Sequence, residues 1–337
     1  MKFLLTAINA KFIHSNPAIY SLRAGVGEKL QPYVELAEFT INESLESILE
    51  GIWKRQPKVI GFSCYIWNWK LIREILTELP KILPDTEIWL GGPEVTYDGP
   101  GLLSEFPQVT GIMVGEGEVT FREVLGQYVR EAESTGQSEQ QPEPDSIEQQ
   151  AADRTGTLAG KSVAERFGQI PGLCLASGYT APRELTDLTT LPFLYEDMEP
   201  FTNRIIYYET SRGCPYRCSY CLSSIDKKVR LRDIDVVKRE LQFFLDQNVK
   251  QVKFIDRTFN CDHKHAMEIW EYIYKHDNGV TNFHFEISAD ILREEEIVLL
   301  NRFRPGLAQL EIGVQSTNPE TIRAIHRVMD VDKLEKI

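Results

Sequence analysis

The sequence predicts an α/β protein of two domains: a doubly wound parallel sheet, then a run of β/α units that makes part of a barrel. Three observations carry that prediction. Residues 1 to about 130 alternate short apolar strands with amphipathic helices, the pattern of a parallel sheet covered on both faces. From about 131 to 168 Glu, Gln, Ser and Pro dominate, and so few bulky apolar side chains predict a disordered acidic linker. Beyond it a strand–loop–helix rhythm resumes and supplies four units, part of a barrel or half-barrel, before the last residue, Ile337.

In the first domain, 1–130, strands are expected at Phe3–Ile8, Val34–Thr40, Val59–Ser63, Glu87–Leu90 and Gly111–Val114. Leu45, Ile48, Leu49, Ile52 and Trp53 mark one helix between them; Leu71, Ile72, Ile75, Leu76, Leu79 and Ile82 mark another. The apolar N-terminus reads as the first strand, because Asn9 and Lys11 interrupt it before a signal-peptide core could form. Such a sheet is of the Rossmann or flavodoxin-like kind, and it binds ligands beyond the carboxyl ends of its strands. The turns there are glycine-rich: Gly91-Gly92-Pro93-Glu94 after the fourth strand, and Gly115-Glu116-Gly117-Glu118 after the fifth. Glycine there serves either a tight turn, with Glu118 at a helix N-terminus, or close approach of backbone to a ligand.

Residues 169–203 read as a connecting hairpin, with Cys174 as a packing residue, and a lead-in. The second domain, 204–337, places strands at Arg204–Thr210, Gln251–Ile255, Asn282–Ile287 and Ala308–Val314. Helical spacing appears at Ile234, Val237, Leu241, Phe244 and Leu245, at Ala266, Ile269, Trp270 and Ile273, and across 294–303. Functional groups in β/α barrels gather at the carboxyl ends of the strands.

Directly after the first of these strands comes Cys214-Pro-Tyr-Arg-Cys218-Ser-Tyr-Cys221. Thiolates so spaced on one loop can wrap one face of a cubane iron–sulfur cluster, which takes four thiolates when its role is electron transfer alone. Three leave one iron open to a substrate or cofactor, as the open position does at catalytic metal sites. Structural zinc needs four closed ligands, and the nearest candidates for a fourth, Cys261, His263 and His265, lie beyond a predicted helix and strand. A disulfide lacks any sign of secretion to support it.

The run from Glu209 to Cys221, with Tyr220 just before the third cysteine, resembles the motif of radical S-adenosylmethionine (SAM) enzymes, in the branch that also carries an N-terminal cobalamin-binding domain. The resemblance implies a [4Fe-4S] cluster on Cys214, Cys218 and Cys221. SAM would be chelated at the open iron and reductively cleaved to a 5′-deoxyadenosyl radical, leading to methyl transfer or oxidoreduction on an unknown small-molecule substrate. It also implies an electron donor such as flavodoxin or ferredoxin. For SAM it points to Tyr220; to Asp256 at the end of the second strand, toward the methionyl amine; to Gln315 after the fourth, toward the ribose; and to Arg327, toward the methionyl carboxylate, which a guanidinium suits. The period of two along a strand puts Glu286, Ser288 and Asp290 on one face of the third, where they converge on a ligand or Asp290 caps the next helix. For cobalamin the resemblance points to Gly91, Gly92, Gly115, Glu116 and Gly117, and to the stretch from Gly61 to Trp67. The Asp-x-His-x-x-Gly motif that ligates cobalt in many such domains is absent; His14 has neither the acid nor the glycine. A histidine-off mode is therefore expected, with Trp67 or Trp69 packing on the corrin or in the core. A related family, the transfer-RNA methylthiotransferases, needs three further cysteines in the first domain, where this chain has only Cys64. A non-catalytic cluster or zinc protein is the alternative from another class.

A net charge of −13 opposes general affinity for nucleic acid, and the charged turn at 227–232 reads as solvated. No apolar run approaches the roughly 18 residues a membrane helix needs, so no membrane is expected as a partner. Six cysteines without secretory context point to a reducing cytoplasm.

Overall fold

In the computed structural model, which describes residues 1–134 and 161–337, the chain divides into two units, Met1–Thr186 and Asp187–Ile337. The first alternates β1 (Phe3–Asn9), α1 (Pro17–Gly25), β2 (Val34–Thr40), α2 (Leu45–Trp53), β3 (Val59–Ser63), α3 (Trp69–Ile82), β4 (Glu87–Gly91), α4 (Gly99–Glu105), β5 (Val109–Met113) and α5 (Gly117–Ser134). These strands pair in parallel in the order β2-β1-β3-β4-β5, the flavodoxin-like order, with its switch between β1 and β3. A central parallel strand is covered on both faces and so reads as an unbroken apolar run. Every residue of β1 is buried. Its side chains alternate between two cores. Leu4 and Ile8 pack with Ile60, Ile72 and Leu76 on one face; Phe3, Leu5 and Ala7 pack with Phe121, Val124 and Leu125 on the other.

Two features depart from the expected boundaries. The segment 131–168 is not linker throughout: residues 131–134 complete α5, and α6 (Val163–Phe167) forms behind a Ser162–Glu165 capping box. Phe167 is fully buried against Trp89 and Tyr128, with ring centroids 5.1 and 5.2 Å away. Arg166 bridges Glu87 and Glu131 at 3.0 and 2.9 Å. One aromatic and one arginine suffice because remote residues supply the pocket. Residues 135–160 of the expected linker lie outside the described residues. The expected hairpin then forms as β6 (Leu173–Leu175) and β7 (Gly178–Tyr179), but it joins the first sheet: Cys174 pairs antiparallel with Ile112 on β5.

The second unit contains β8 (Ile206–Tyr208), β9 (Ser211–Arg212), β10 (Arg230–Leu231), α7 (Ile234–Asp246), β11 (Gln251–Phe254), α8 (His263–Lys275), β12 (Asn282–Ile287), α9 (Glu294–Leu300), β13 (Ala308–Ile312), α10 (Pro319–Ala324) and α11 (Val331–Leu334). β8, β11, β12 and β13 form an open parallel sheet in chain order, as successive β/α units require. β12 shows how the sequence fixes its faces. Phe283, Phe285 and Ile287 are buried toward the helices, where Phe285 meets Phe259 and Phe254, while His284 and Glu286 point to the other side. The expected first strand, Arg204–Thr210, shortens to β8, and Thr210 beyond its end donates to the buried Asp256 carboxylate.

Candidate functional site

The cysteine loop begins where only glycine fits. Gly213 has φ +99°, and a Cβ there would lie 2.4 Å from the Lys228 carbonyl oxygen. The chain beyond is pinned by main-chain bonds: Cys214 N–H donates to Asp226 O at 3.0 Å, Cys221 N–H to Cys218 O at 3.1 Å, and Ser219 N–H to Ile325 O at 3.0 Å. Cys214 and Cys218 are buried and Cys221 is partly exposed. All three line one cleft of about 220 Å³. The Cys214 thiol lies 3.6 Å from the Thr258 hydroxyl.

The same cleft is lined by Tyr220, Glu286, Ser288, Gln315 and Arg327. Gln315 has φ +66°, a strained conformation for a non-glycine residue of the kind that collects at ligand sites. Arg327 donates to the Gly313 carbonyl and, at 3.3 Å, to the Tyr220 hydroxyl, which ties the chain after α10 to the cysteine loop. Ser288 donates to Asp290 at 2.8 Å.

Asp256 does not line the cleft. It is 1% exposed and accepts from Thr210 N–H at 3.0 Å and from the Thr210 hydroxyl at 2.6 Å. Burial outweighs those bonds and pushes its carboxyl up to about 6. Its place in the fold is as a strut behind the cysteine loop.

Among the cleft residues not anticipated as site residues are Tyr216, Arg257, Thr258 and Glu311. Glu311 faces Glu286 across the β12–β13 register. Lys253 lies 2.9 Å from Glu311 and 3.5 Å from Glu286, and His284 lies 3.0 Å from Glu311. Burial, then Lys253, holds the His284 imidazole below its usual range. The hydrogen bond from Lys253 holds the Glu311 carboxyl down.

Cys261, His263 and His265 stand apart from the cleft lining. His263 bonds the fully buried Glu296 at 2.9 Å, and His265 is buried on α8. Burial, with Cys214 next in effect, pushes the Cys261 thiol up to about 11. Among the described residues no three His, Cys, Asp or Glu side chains converge as a single metal ion needs. A cubane asks for something else, one thiolate on each of several irons.

In the first unit the glycines divide. Gly91 ends β4, and Gly92 (φ +109°) is required by protein packing, since a Cβ would lie 2.5 Å from Cys64 O. Gly115 (φ +78°) has nothing within 4 Å of a Cβ, so space opens above the β5 turn. Gly117 begins α5, and Glu116 accepts from Thr186 N–H at 2.7 Å. Trp69 packs against Phe106, whereas Trp67 is exposed and stacks on Tyr65 with centroids 4.3 Å apart. Phe12, Ile66, Trp67 and Tyr97, on the loops after β1, β3 and β4, expose apolar surface at the carboxyl edge of this sheet. His14 lies on the first of those loops, and its carbonyl accepts from Asn9 at 3.1 Å.

Comparison with known proteins adds the following. The family profile described as B12 binding domain matches residues 4–125, and the Radical SAM superfamily profile matches 208–337. A 2-(S-pantetheinyl)-carbapenam-3-carboxylate methyltransferase from Streptantibioticus cattleyicolor is 27% identical over 64% of this chain and 29% of its own length. An uncharacterized methyltransferase from Pyrococcus horikoshii is 27% identical over 84% of this chain and 57% of its own. The chain thus spans about half or less of these relatives. Among solved structures, the cobalamin-dependent SAM radical enzyme OxsB superposes with a TM-score of 0.70 at 17% identity, covering 98% of this chain and 46% of that one. The radical SAM methyltransferase TsrM from Kitasatospora setae gives 0.67 at 17%, covering 100% and 64%.

Proposed function

We infer that this chain, which belongs to the radical SAM superfamily and carries an N-terminal B12-binding domain, serves an enzyme that cleaves SAM reductively and transfers a methyl group to a small molecule. The observation that carries this reading is the gathering of Cys214, Cys218 and Cys221 on one cleft with Gln315 and Arg327. The donor set fits a [4Fe-4S] cluster: three thiols, two of them buried, with no fourth cysteine or histidine among the residues that line the cleft. When bound, the cluster supplies the electron that breaks the SAM sulfonium bond, and the cobalamin supplies a methyl group.

The chain's own residues hold and orient. Gly213 and the Asp226 carbonyl set the direction in which Cys214 leaves its strand. Arg327 offers a guanidinium edge for a carboxylate, and Gln315 an amide for ribose hydroxyls. Glu286 and Ser288, on one strand face, provide acceptors for an ammonium group, and Tyr220 shields the cleft beside Cys218. Asp256 acts indirectly, through Thr210. For cobalamin, the space above Gly115 and the apolar loops at the carboxyl edge of the first sheet suit a large flat ring, with Trp67 as the exposed aromatic partner. The Asp-x-His-x-x-Gly motif of a cobalt ligand is absent around His14, which supports a histidine-off mode. A methylthiotransferase is disfavoured: the first unit holds Cys64 and Cys174 alone, both fully buried. A flavodoxin or ferredoxin would supply the electron, and the setting we assign is the cytoplasm. No helix among the described residues is long and apolar enough to cross a membrane.

The test is SAM cleavage. After anaerobic reconstitution, the wild-type chain should form 5′-deoxyadenosine with a strong reductant, and Cys218→Ala should form none. Equal yields from the two would overturn the reading.

A further inference from the structure

The outer surface of the cysteine loop has a character that the cleft does not explain. The whole chain carries −13, yet Arg212, Arg217, Lys227, Lys228, Arg230 and Arg232 face a single acid, Asp226, within residues 212–232. Half of these cations are neutralised internally. Arg212 pairs with Glu209 at 2.8 Å, Arg230 with Asp226 at 3.0 Å, and Arg232 with Glu240 at 2.7 Å. Arg217, Lys227 and Lys228 are exposed, and no ion pair or side-chain hydrogen bond engages them among the described residues.

Along the chain these free cations bracket two exposed aliphatic side chains: Leu222 is 56% exposed and Ile225 58%. The whole surface is laced to the cysteines. Residues 226 and 228 press their carbonyls onto Cys214 N–H and Gly213, Arg217 precedes Cys218, and Leu222 follows Cys221. Exposed aliphatic side chains together with free charges are the ingredients of a protein interface. Three free cations are few for a nucleic-acid backbone, where binders make about 6–10 phosphate contacts, and exposed Leu222 and Ile225 gain nothing from phosphate.

We propose that residues 217–228 form the docking surface for a small acidic electron-transfer protein. This rests on the cluster reading above. The partner's reduced prosthetic group loses one electron and the cluster gains it; no bond forms or breaks in the step. A surface laced to the cysteines gives the shortest route. The free cations speed encounter by electrostatic attraction, and the aliphatic side chains hold the complex.

The test uses the reconstituted chain, with iron content measured first, and the triple variant Arg217→Glu, Lys227→Glu, Lys228→Glu. Oxidised flavodoxin is titrated calorimetrically at about 50 mM and about 500 mM salt. Wild type should bind more tightly at low salt. The triple variant should bind at least about tenfold more weakly there, and Lys227→Gln/Lys228→Gln should fall between. Cleavage of SAM driven by dithionite, which needs no docking, should be equal in wild type and variants. Unchanged flavodoxin affinity in the triple variant, or wild-type binding indifferent to salt, overturns the docking surface while a full iron count leaves the cluster reading standing. Binding of transfer RNA in place of flavodoxin through the same side chains overturns the choice of partner. Absence of iron overturns the cluster reading by itself.

Discussion

Asp256 closes β11 with its carboxylate turned into the protein, toward Thr210. Its folded value of about 6 lies above the ordinary 3.8, so the folded state binds the proton more tightly. The stability it contributes is full below pH 3.8 and is lost as pH rises through about 6. Asp256→Asn keeps an acceptor for Thr210 and removes the charge. Relative to wild type it should gain stability between pH 4 and pH 8, by on the order of 3 kcal/mol, in urea unfolding at the two pH values. A constant difference would show that the carboxylate does not titrate in this window. The glycines give a second contrast. Gly92→Ala must move the Cys64 backbone and should cost about 3 kcal/mol or more, whereas Gly115→Ala meets open space and should cost about 1 kcal/mol from backbone strain alone. Thermal melts of the two variants would check the order. The sequence shows a glycine at both places; it does not show which neighbour makes the glycine necessary.

Among the elements, the longer strands announce themselves by an apolar run, as in β3, or by apolar–polar alternation, as in β12; β2, β3 and β12 begin and end where the sequence places them. Short elements held by remote partners do not. α6 has five residues, and its reasons to exist, Trp89, Tyr128, Glu87 and Glu131, lie far from it in the chain. The cleft divides the same way. The cysteines are legible because loop spacing alone brings them together; Glu311 is not, since it reaches the cleft through its register with Glu286 and its ion pair with Lys253. β10 and α7 are joined by a buried polar cluster in which Arg232 meets Glu240 at 2.7 Å and Tyr208 donates to Glu240 at 2.5 Å. Removing the carboxylate strands a buried guanidinium. Glu240→Ala should therefore destabilise the second unit by about 3–5 kcal/mol, measured by urea unfolding. A loss under about 1 kcal/mol would mean that the pair is solvated.

For the molecule as a whole, the two α/β units differ in what they present: one is a parallel sheet whose carboxyl edge exposes aromatic loops, and the other an open sheet of β/α units that presents three thiols on a cleft. The central claim concerns that second unit. The most direct measurement is the count of iron and acid-labile sulfide per chain after anaerobic reconstitution, made beside Cys214→Ala, Cys218→Ala and Cys221→Ala. The account predicts about four of each in wild type and loss of both in every variant. One zinc per chain with no sulfide, or a full complement surviving removal of any one of the three thiols, would contradict it.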